Sequence, residues 1–130
     1  MMKVVMVEPH KKAVVKEIEQ NLSSYQKAVG GYIEAVYPWA DEVAVICDEE
    51  AKLTGKELNR LLVSEDGDPY DVLTGTFFIC GLTEDDFGGL SDELAAKYLK
   101  KFLYPESFLR IGKHICCVEE KPGGRVIPIT

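Results

Sequence analysis

The chain has 130 residues, of which 46% are hydrophobic and 28% are charged, and these values suit one folded domain with one core. No run approaches the roughly 18 consecutive apolar residues of a membrane-spanning helix. The apolar run at the N-terminus stops at Glu8 and is too short for a signal peptide, so we expect a cytoplasmic protein that does not associate with a membrane.

The formal net charge is −7, and the acidic residues concentrate in the middle of the chain. Residues 41–70 contain nine acidic side chains against three basic ones, and residues 71–100 contain six against two. Binding to a phosphate backbone normally requires a basic surface, so direct nucleic-acid binding is disfavoured. The acidic middle could attract a basic partner or imitate nucleic acid, while a solvated surface that keeps the protein soluble is the ordinary explanation.

Hydrophobic periodicity predicts strands at residues 3–8, 13–19, 32–37 and 43–47, with a helix as the alternative for residues 13–19. Asn21 is typical of a helix N-cap, and the apolar residues that follow recur at helical spacing up to Val29. Gly30 or Gly31 would then end this helix in the left-handed conformation. The first third of the chain therefore predicts two strands, a short helix and a third strand.

The pattern from Thr54 to Glu57 is that of a capping box, which predicts a helix directing Leu58, Leu61 and Leu62 to the core. Ser91 predicts the start of a longer helix. The other predicted elements are a strand at 71–81, a helical turn at 83–86, a further turn at 106–109, a strand at 114–118 and an apolar tail at 126–129 that docks as an edge strand.

Together these elements predict an α+β fold. We expect a single compact domain over residues 1–130, in which a mixed or mainly antiparallel sheet is covered by two or three helices. The strands at 32–37 and 71–81 are predicted to lie side by side at the centre of this sheet, because both are strongly β-like and contain or adjoin glycines.

Several short motifs occur in a fixed order along the chain. They are VMVEP at 5–9, VGGYIEAVYP at 29–38, ICDEEAKL at 46–53, NR at 59–60, GTFFI at 75–79, LTEDDF at 82–87 and LS at 90–91. In these motifs the chain resembles a family of small bacterial, phage and mobile-element proteins catalogued only as a domain of unknown function. The resemblance covers a core of about residues 3–103, leaving a C-terminal strand and tail at about 111–130. It implies a setting in phage or mobile-element biology and carries no activity with it.

No short signature of catalysis or phosphate binding is present. The cysteines have no C-x-x-C spacing, so we predict buried, reduced thiols and neither a metal nor a cofactor. The vicinal pair would point to opposite faces of a strand, exposing one thiol, and whether either is reactive stays open. The four cysteines are Cys47, Cys80, Cys116 and Cys117.

Five residues form the best candidate for a binding site: Glu34, Tyr37, Trp39, Asn59 and Arg60. Asn59 and Arg60 can make directed hydrogen bonds to a carboxylate, a phosphate or an amide. A carboxylate at Glu34, inside a central strand, would be costly unless it were paired. These residues therefore predict either a structural Glu34–Arg60 ion pair or a ligand pocket with an aromatic wall at Tyr37 or Trp39.

Three classes of function remain open. The first is a non-enzymatic binding or interaction domain that engages a host protein or a small anionic ligand. The second is an acidic nucleic-acid mimic that inhibits a DNA-binding host protein. The third is a small hydrolase or transferase, against which the missing catalytic constellation is the main objection. The sequence does not indicate an oligomeric state.

Overall fold

The computed structural model describes residues 1–129, which form a sheet-rich α+β fold with 43% strand and 15% helix. Every strand pair among these residues is antiparallel. The elements are β1 (Met2–Val7), β2 (Val14–Ile18), α1 (Leu22–Val29), β3 (Ile33–Val36), β4 (Val43–Asp48), β5 (Leu58–Val63), β6 (Pro69–Thr74), β7 (Phe77–Leu82), β8 (Phe87–Gly88), α2 (Asp92–Phe102), β9 (Glu106–Ile111), β10 (His114–Glu119) and β11 (Val126–Pro128).

The large sheet has the strand order β2-β1-β7-β4-β3, and the short β8 pairs with β7. Residues 32–37 and 71–81 are therefore not neighbours, because β4 lies between β3 and β7. All six residues of β4 are buried, and this apolar strand takes the central position that we predicted for β3. The run at 71–81 is also not one strand, since Gly75 adopts a left-handed φ of 73° where the chain leaves β6 and enters β7.

Each face of the large sheet has its own covering layer. Phe78 and Cys80 of β7 pack in a core cluster with Tyr25 and Val29 of α1. The alternate residues Phe77 and Ile79 face the opposite side, where α2 and the β5–β6 hairpin form the cover. The prediction of a sheet covered by two or three helices is thus only partly right, because a hairpin supplies part of one covering layer.

Local capping explains both helices. The side chain of Asn21 accepts a hydrogen bond from the Ser24 amide at 2.7 Å, and Gly30 ends α1 with a left-handed φ of 76°. The Ser91 hydroxyl accepts from the Leu94 amide at 3.2 Å and starts α2. No helix in residues 1–129 is both long enough and apolar enough to cross a membrane.

The predicted helix at Leu58–Leu62 is wrong, because this segment is strand β5. Its leucines have helical spacing, but Asn59 and Arg60 between them are also buried. The segment therefore lacks the solvent-exposed polar face of an amphipathic helix. The Thr54 hydroxyl donates to the Glu50 carbonyl at 3.1 Å and closes a turn. The helical turns predicted at 83–86 and 106–109 are likewise wrong, since residues 84–86 are bends that connect the antiparallel strands β7 and β8, and β9 replaces the second turn.

The C-terminal segment forms a separate sheet in the order β11-β10-β9. The predicted strand at 114–118 and the docking tail at 126–129 are confirmed as β10 and β11. Cys116 and Cys117 are both buried, at 4% and 0% exposure, so the prediction that one of these thiols is exposed is wrong. The single-domain boundary at 1–130 stays a prediction.

Candidate functional site

The five predicted site residues do not form one cluster. Glu34 is exposed on β3, Tyr37 is 59% exposed just beyond it, and Trp39 is buried. Asn59 and Arg60 are fully buried in β5. Within residues 1–129, Glu34 and Arg60 form no ion pair. The reason is that Glu34 lies on the edge strand β3, where its carboxylate is exposed to water.

The guanidinium of Arg60 is held mainly by backbone carbonyl oxygens. Its Nη2 donates to the Lys11 carbonyl at 2.7 Å and to the Phe102 carbonyl at 3.0 Å, and its Nη1 donates to Asn59 Oδ1 at 2.7 Å. Phe102 is the last residue of α2, where a cation complements the helix dipole. Burial lowers the pKa of Arg60, and Glu106 and Cys117 oppose this change.

Asn59 completes the same network. Its Nδ2 donates to the Val7 carbonyl at 3.0 Å and to the Gly75 carbonyl at 2.9 Å, which ties β5 to the end of β1 and the start of the β6–β7 connection. We call Asn59 and Arg60 together the polar clamp. A ligand could reach these donors only by displacing the carbonyl groups that hold them, so the arrangement serves the fold.

A second polar cluster lies beside the glycine pair. Lys56 Nζ donates to Asp48 Oδ2 at 2.5 Å and to the carbonyls of Val29 and Gly30 at 3.0 and 2.9 Å. Only 4% of the Asp48 side chain is exposed. Burial acts to raise the pKa of Asp48, but hydrogen bonds from Lys56 and from the Glu50 amide outweigh it and leave the pKa lowered.

This cluster explains both glycines of the VGGY motif. Gly30 supplies the left-handed residue that ends α1. At Gly31 the reason is space, since an added Cβ would lie 2.5 Å from Asp48 Oδ1. The sequence predicted neither Asp48 nor Lys56 as a structural residue. The available signal was an acid that directly follows the apolar run of residues 43–47 and forms the last residue of β4.

A cleft with a volume of about 170 Å³ opens between the β3–β4 edge and β6. Its lining includes Val36 and Leu62 as apolar walls, together with Tyr70. Lys52 also lines it and is paired with Asp71 at 2.7 Å. The acidic side chains of the lining outnumber the basic one; they are Glu34, Asp48, Glu49 and Asp71. The cleft therefore favours a cationic over an anionic occupant.

Cys47 is the thiol that lines this cleft, with Sγ 3.7 Å from the Glu34 carbonyl oxygen. Burial, then the carboxylates of Glu34, Asp48 and Asp71, raise the pKa of Cys47 to about 11. The thiol consequently stays protonated at neutral pH, which makes it a poor nucleophile. All four cysteines are buried and free, which agrees with the general prediction of buried thiols but not with a partly exposed thiol in the vicinal pair.

Exposed acidic side chains surround β3 at both ends. A second groove, with a volume of about 460 Å³, is lined by Tyr37 and residues 82–87. We call the exposed acids around the cleft and this groove the acidic rim; they form no ion pair within residues 1–129 and are Glu34, Glu49, Glu50, Glu84, Asp85 and Asp86. Nowhere in this described part of the chain do acidic, histidine or cysteine side chains converge as a metal site.

A family model described as a domain of unknown function, DUF3846, matches residues 2–103. The chain belongs to this family. The DUF3846 segment runs from β1 to the end of α2 and contains the polar clamp, the Asp48–Lys56 cluster and the whole acidic rim. The sheet β9–β11 follows the matched segment. No curated protein and no solved structure matches the chain.

Proposed function

We propose that this DUF3846 chain is a non-enzymatic interaction domain of phage or mobile-element biology, which acts in the cytoplasm and engages a host protein through the acidic rim. One observation carries the proposal: six exposed carboxylates that form no ion pair within residues 1–129 lie on an edge strand and near its two ends. Some other exposed acids, such as Asp41, Asp92 and Glu119, are paired with lysine or arginine. Others, such as Glu17 and Asp68, also form no ion pair within residues 1–129, so the position of the rim around β3 is what distinguishes it. The unpaired acids are thus available to a partner.

A protein partner with basic side chains suits this surface better than the small anionic ligand that the sequence also suggested. The carboxylates of Glu34 and Glu49 would repel an anion at the cleft, and the only lysine there whose charge could oppose them, Lys52, already contacts Asp71. Basic side chains would instead gain favourable charge interactions at both ends of β3.

An enzymatic role has less support from these side chains. A cysteine nucleophile works as a thiolate, but burial raises the pKa of Cys80 and of Cys117 to about 12, and Cys47 is similarly perturbed. The hydrolase or transferase alternative would therefore need another activated group.

The proposal is tested by charge reversal on the purified protein. The partner is first isolated from host extract with the wild-type chain and then titrated against defined variants. We expect the Glu49→Lys/Glu50→Lys and the Glu84→Lys/Asp85→Lys double variants each to weaken binding by about tenfold or more, because close charge pairs across an interface have coupling energies of about 1.5–7 kcal/mol.

The Glu17→Lys/Glu19→Lys variant is the matched control, since both residues are exposed and belong to β2 and the segment after it, at the opposite edge of the sheet. It should bind nearly as the wild type does. Equal weakening by all three variants would mean that net charge alone matters, and the proposed surface would then be wrong.

The nucleic-acid mimic is the second candidate, and the same strip of unpaired carboxylates favours it. It makes a distinct prediction: the isolated partner is a DNA-binding protein, and duplex DNA competes with this chain for it. A partner that binds this chain and DNA simultaneously would exclude mimicry and leave the interaction domain in place.

A further inference from the structure

The outer edge of β3 carries backbone groups without a partner. The Glu49 amide donates to the Tyr32 carbonyl at 2.9 Å, which places Tyr32 opposite Glu49 as a hydrogen-bonded pair. Because such pairs alternate along an antiparallel ladder, the amides and carbonyls of Ile33 and Ala35 point away from β4. These outward amides and carbonyls form no hydrogen bond with any backbone or side-chain group within residues 1–129.

In the β5–β6 hairpin, by contrast, an outward amide on each strand is hydrogen-bonded to a carboxylate. The outward amide of Leu61 on β5 donates to Glu106 Oε1 at 2.8 Å. On β6, the outward amide of Val72 donates to Asp71 Oδ1 at 2.8 Å. A carboxylate thus caps one outward amide on each strand of this hairpin, which hinders further strand pairing there. No side chain within residues 1–129 does this for Ile33 or Ala35.

At the opposite edge of the large sheet, β2 also has no further strand paired with it within residues 1–129, but its side chains include charged ones. The Leu90 amide donates to the Lys3 carbonyl on the β7 side of β1, so the backbone groups of Val15 and Glu17 point outward from β2. β2 carries charges of both signs at Lys16 and Glu17, a common protection of edge strands. The residues on β3 are apolar apart from Glu34.

The surroundings of β3 identify the kind of strand that would fit. Tyr32 and Tyr37, at its two ends, are 68% and 59% exposed, and tyrosine is enriched at protein interfaces. The acidic rim includes Glu34 on β3 and acids near both ends of this strand. A second copy of this chain would bring the same carboxylates and a net charge of −7 to the contact, whereas a basic segment would complement them.

We propose that an extended, lysine- or arginine-rich segment of the partner adds to β3 as a further antiparallel or parallel strand. Its backbone pairs with Ile33 and Ala35, and its basic side chains lie against Glu34 and the rest of the acidic rim. This inference rests on the proposed function, for which it specifies the mode of binding and the chemistry of the partner.

The test uses the full-length protein and a short capped peptide of alternating lysine and valine. A second peptide of the same sequence is N-methylated at every residue, so that it keeps its charge but has no backbone donor along either edge. We expect the first peptide to slow amide exchange at Ile33 and Ala35, and N-methylation to weaken binding by about tenfold or more.

Two matched proline variants locate the site. Ala35→Pro removes an outward amide from β3, and Val15→Pro removes one from β2; proline is tolerated at such edge positions because no ladder hydrogen bond is lost. We expect Ala35→Pro to weaken binding of the unmodified peptide and Val15→Pro to leave it unchanged. The wild-type protein with the two peptides gives the answer even if a proline variant does not fold.

Equal binding of both peptides would overturn strand addition. If binding still depended on Glu49, Glu50, Glu84 and Asp85, the acidic interaction surface itself would stand. Protection of Ile33 and Ala35 in the peptide-free protein that grows with protein concentration would show that a second copy occupies the edge, and would also overturn the proposal.

Discussion

The polar groups of the polar clamp and those of the edge strand β3 differ in their burial and in their hydrogen-bond partners. In the clamp, Arg60 and Asn59 are fully buried, and their donors are matched by carbonyl and amide oxygens. On β3, Glu34 is exposed, and the outward backbone groups of Ile33 and Ala35 have no hydrogen-bond partner within residues 1–129. The comparison teaches that the number of satisfied partners, more than residue type, separates structural from available polar groups.

The largest effect is expected when the hydrogen bonds of the polar clamp are removed by substitution of Arg60. Arg60→Met keeps much of the side-chain volume but leaves the carbonyls of Lys11 and Phe102 and the Asn59 side chain without their donor. We expect a loss of about 3–5 kcal/mol in the free energy of unfolding, measured by chemical denaturation.

Glu34→Gln is the matched control, and it should change stability by less than about 0.5 kcal/mol because its carboxylate lies in water. A small effect of Arg60→Met would show that the guanidinium is dispensable for folding. This result would contradict a structural role for Arg60 and favour a ligand-binding role.

A smaller effect is expected at the Asp48–Lys56 cluster. Asp48→Asn removes the charge that Lys56 contacts and should cost about 1–3 kcal/mol at neutral pH. Because the folded-state pKa of Asp48 is lowered, its contribution is present above the unfolded value of about 3.9 and is lost as the pH falls through the folded value.

The stability difference between wild type and Asp48→Asn should therefore be constant near neutral pH and shrink under acidic conditions. Denaturation curves measured across this range check the sign. A difference that grows on acidification would contradict a stabilising, ionised Asp48.

Much of the fold follows from local sequence signals. The caps at Asn21 and Ser91, a left-handed glycine at the end of α1 and the strands β1 and β10 are determined by short-range physical preferences, and the structure confirms them. The acidic surplus in the middle of the chain is also visible in the sequence.

The failures depend on long-range partners. The segment Leu58–Val63 has helical leucine spacing, but the carbonyls of Val7, Lys11 and Phe102 make it favourable to bury Asn59 and Arg60 in a strand. Likewise, the sequence places Glu34 inside a central strand because nothing local shows that β4 lies between β3 and β7. The polar residues that the sequence groups together are therefore separated by the fold.

Amide exchange of the free protein tests the central claim most directly, because it compares outward amides on the two regions. We predict that Ile33 and Ala35 exchange at least about tenfold faster than Leu61, whose outward amide is held by Glu106. Exchange at Ile33 and Ala35 as slow as at Leu61, in a dilute solution of the monomer, would show that the β3 edge is not open and would contradict the account.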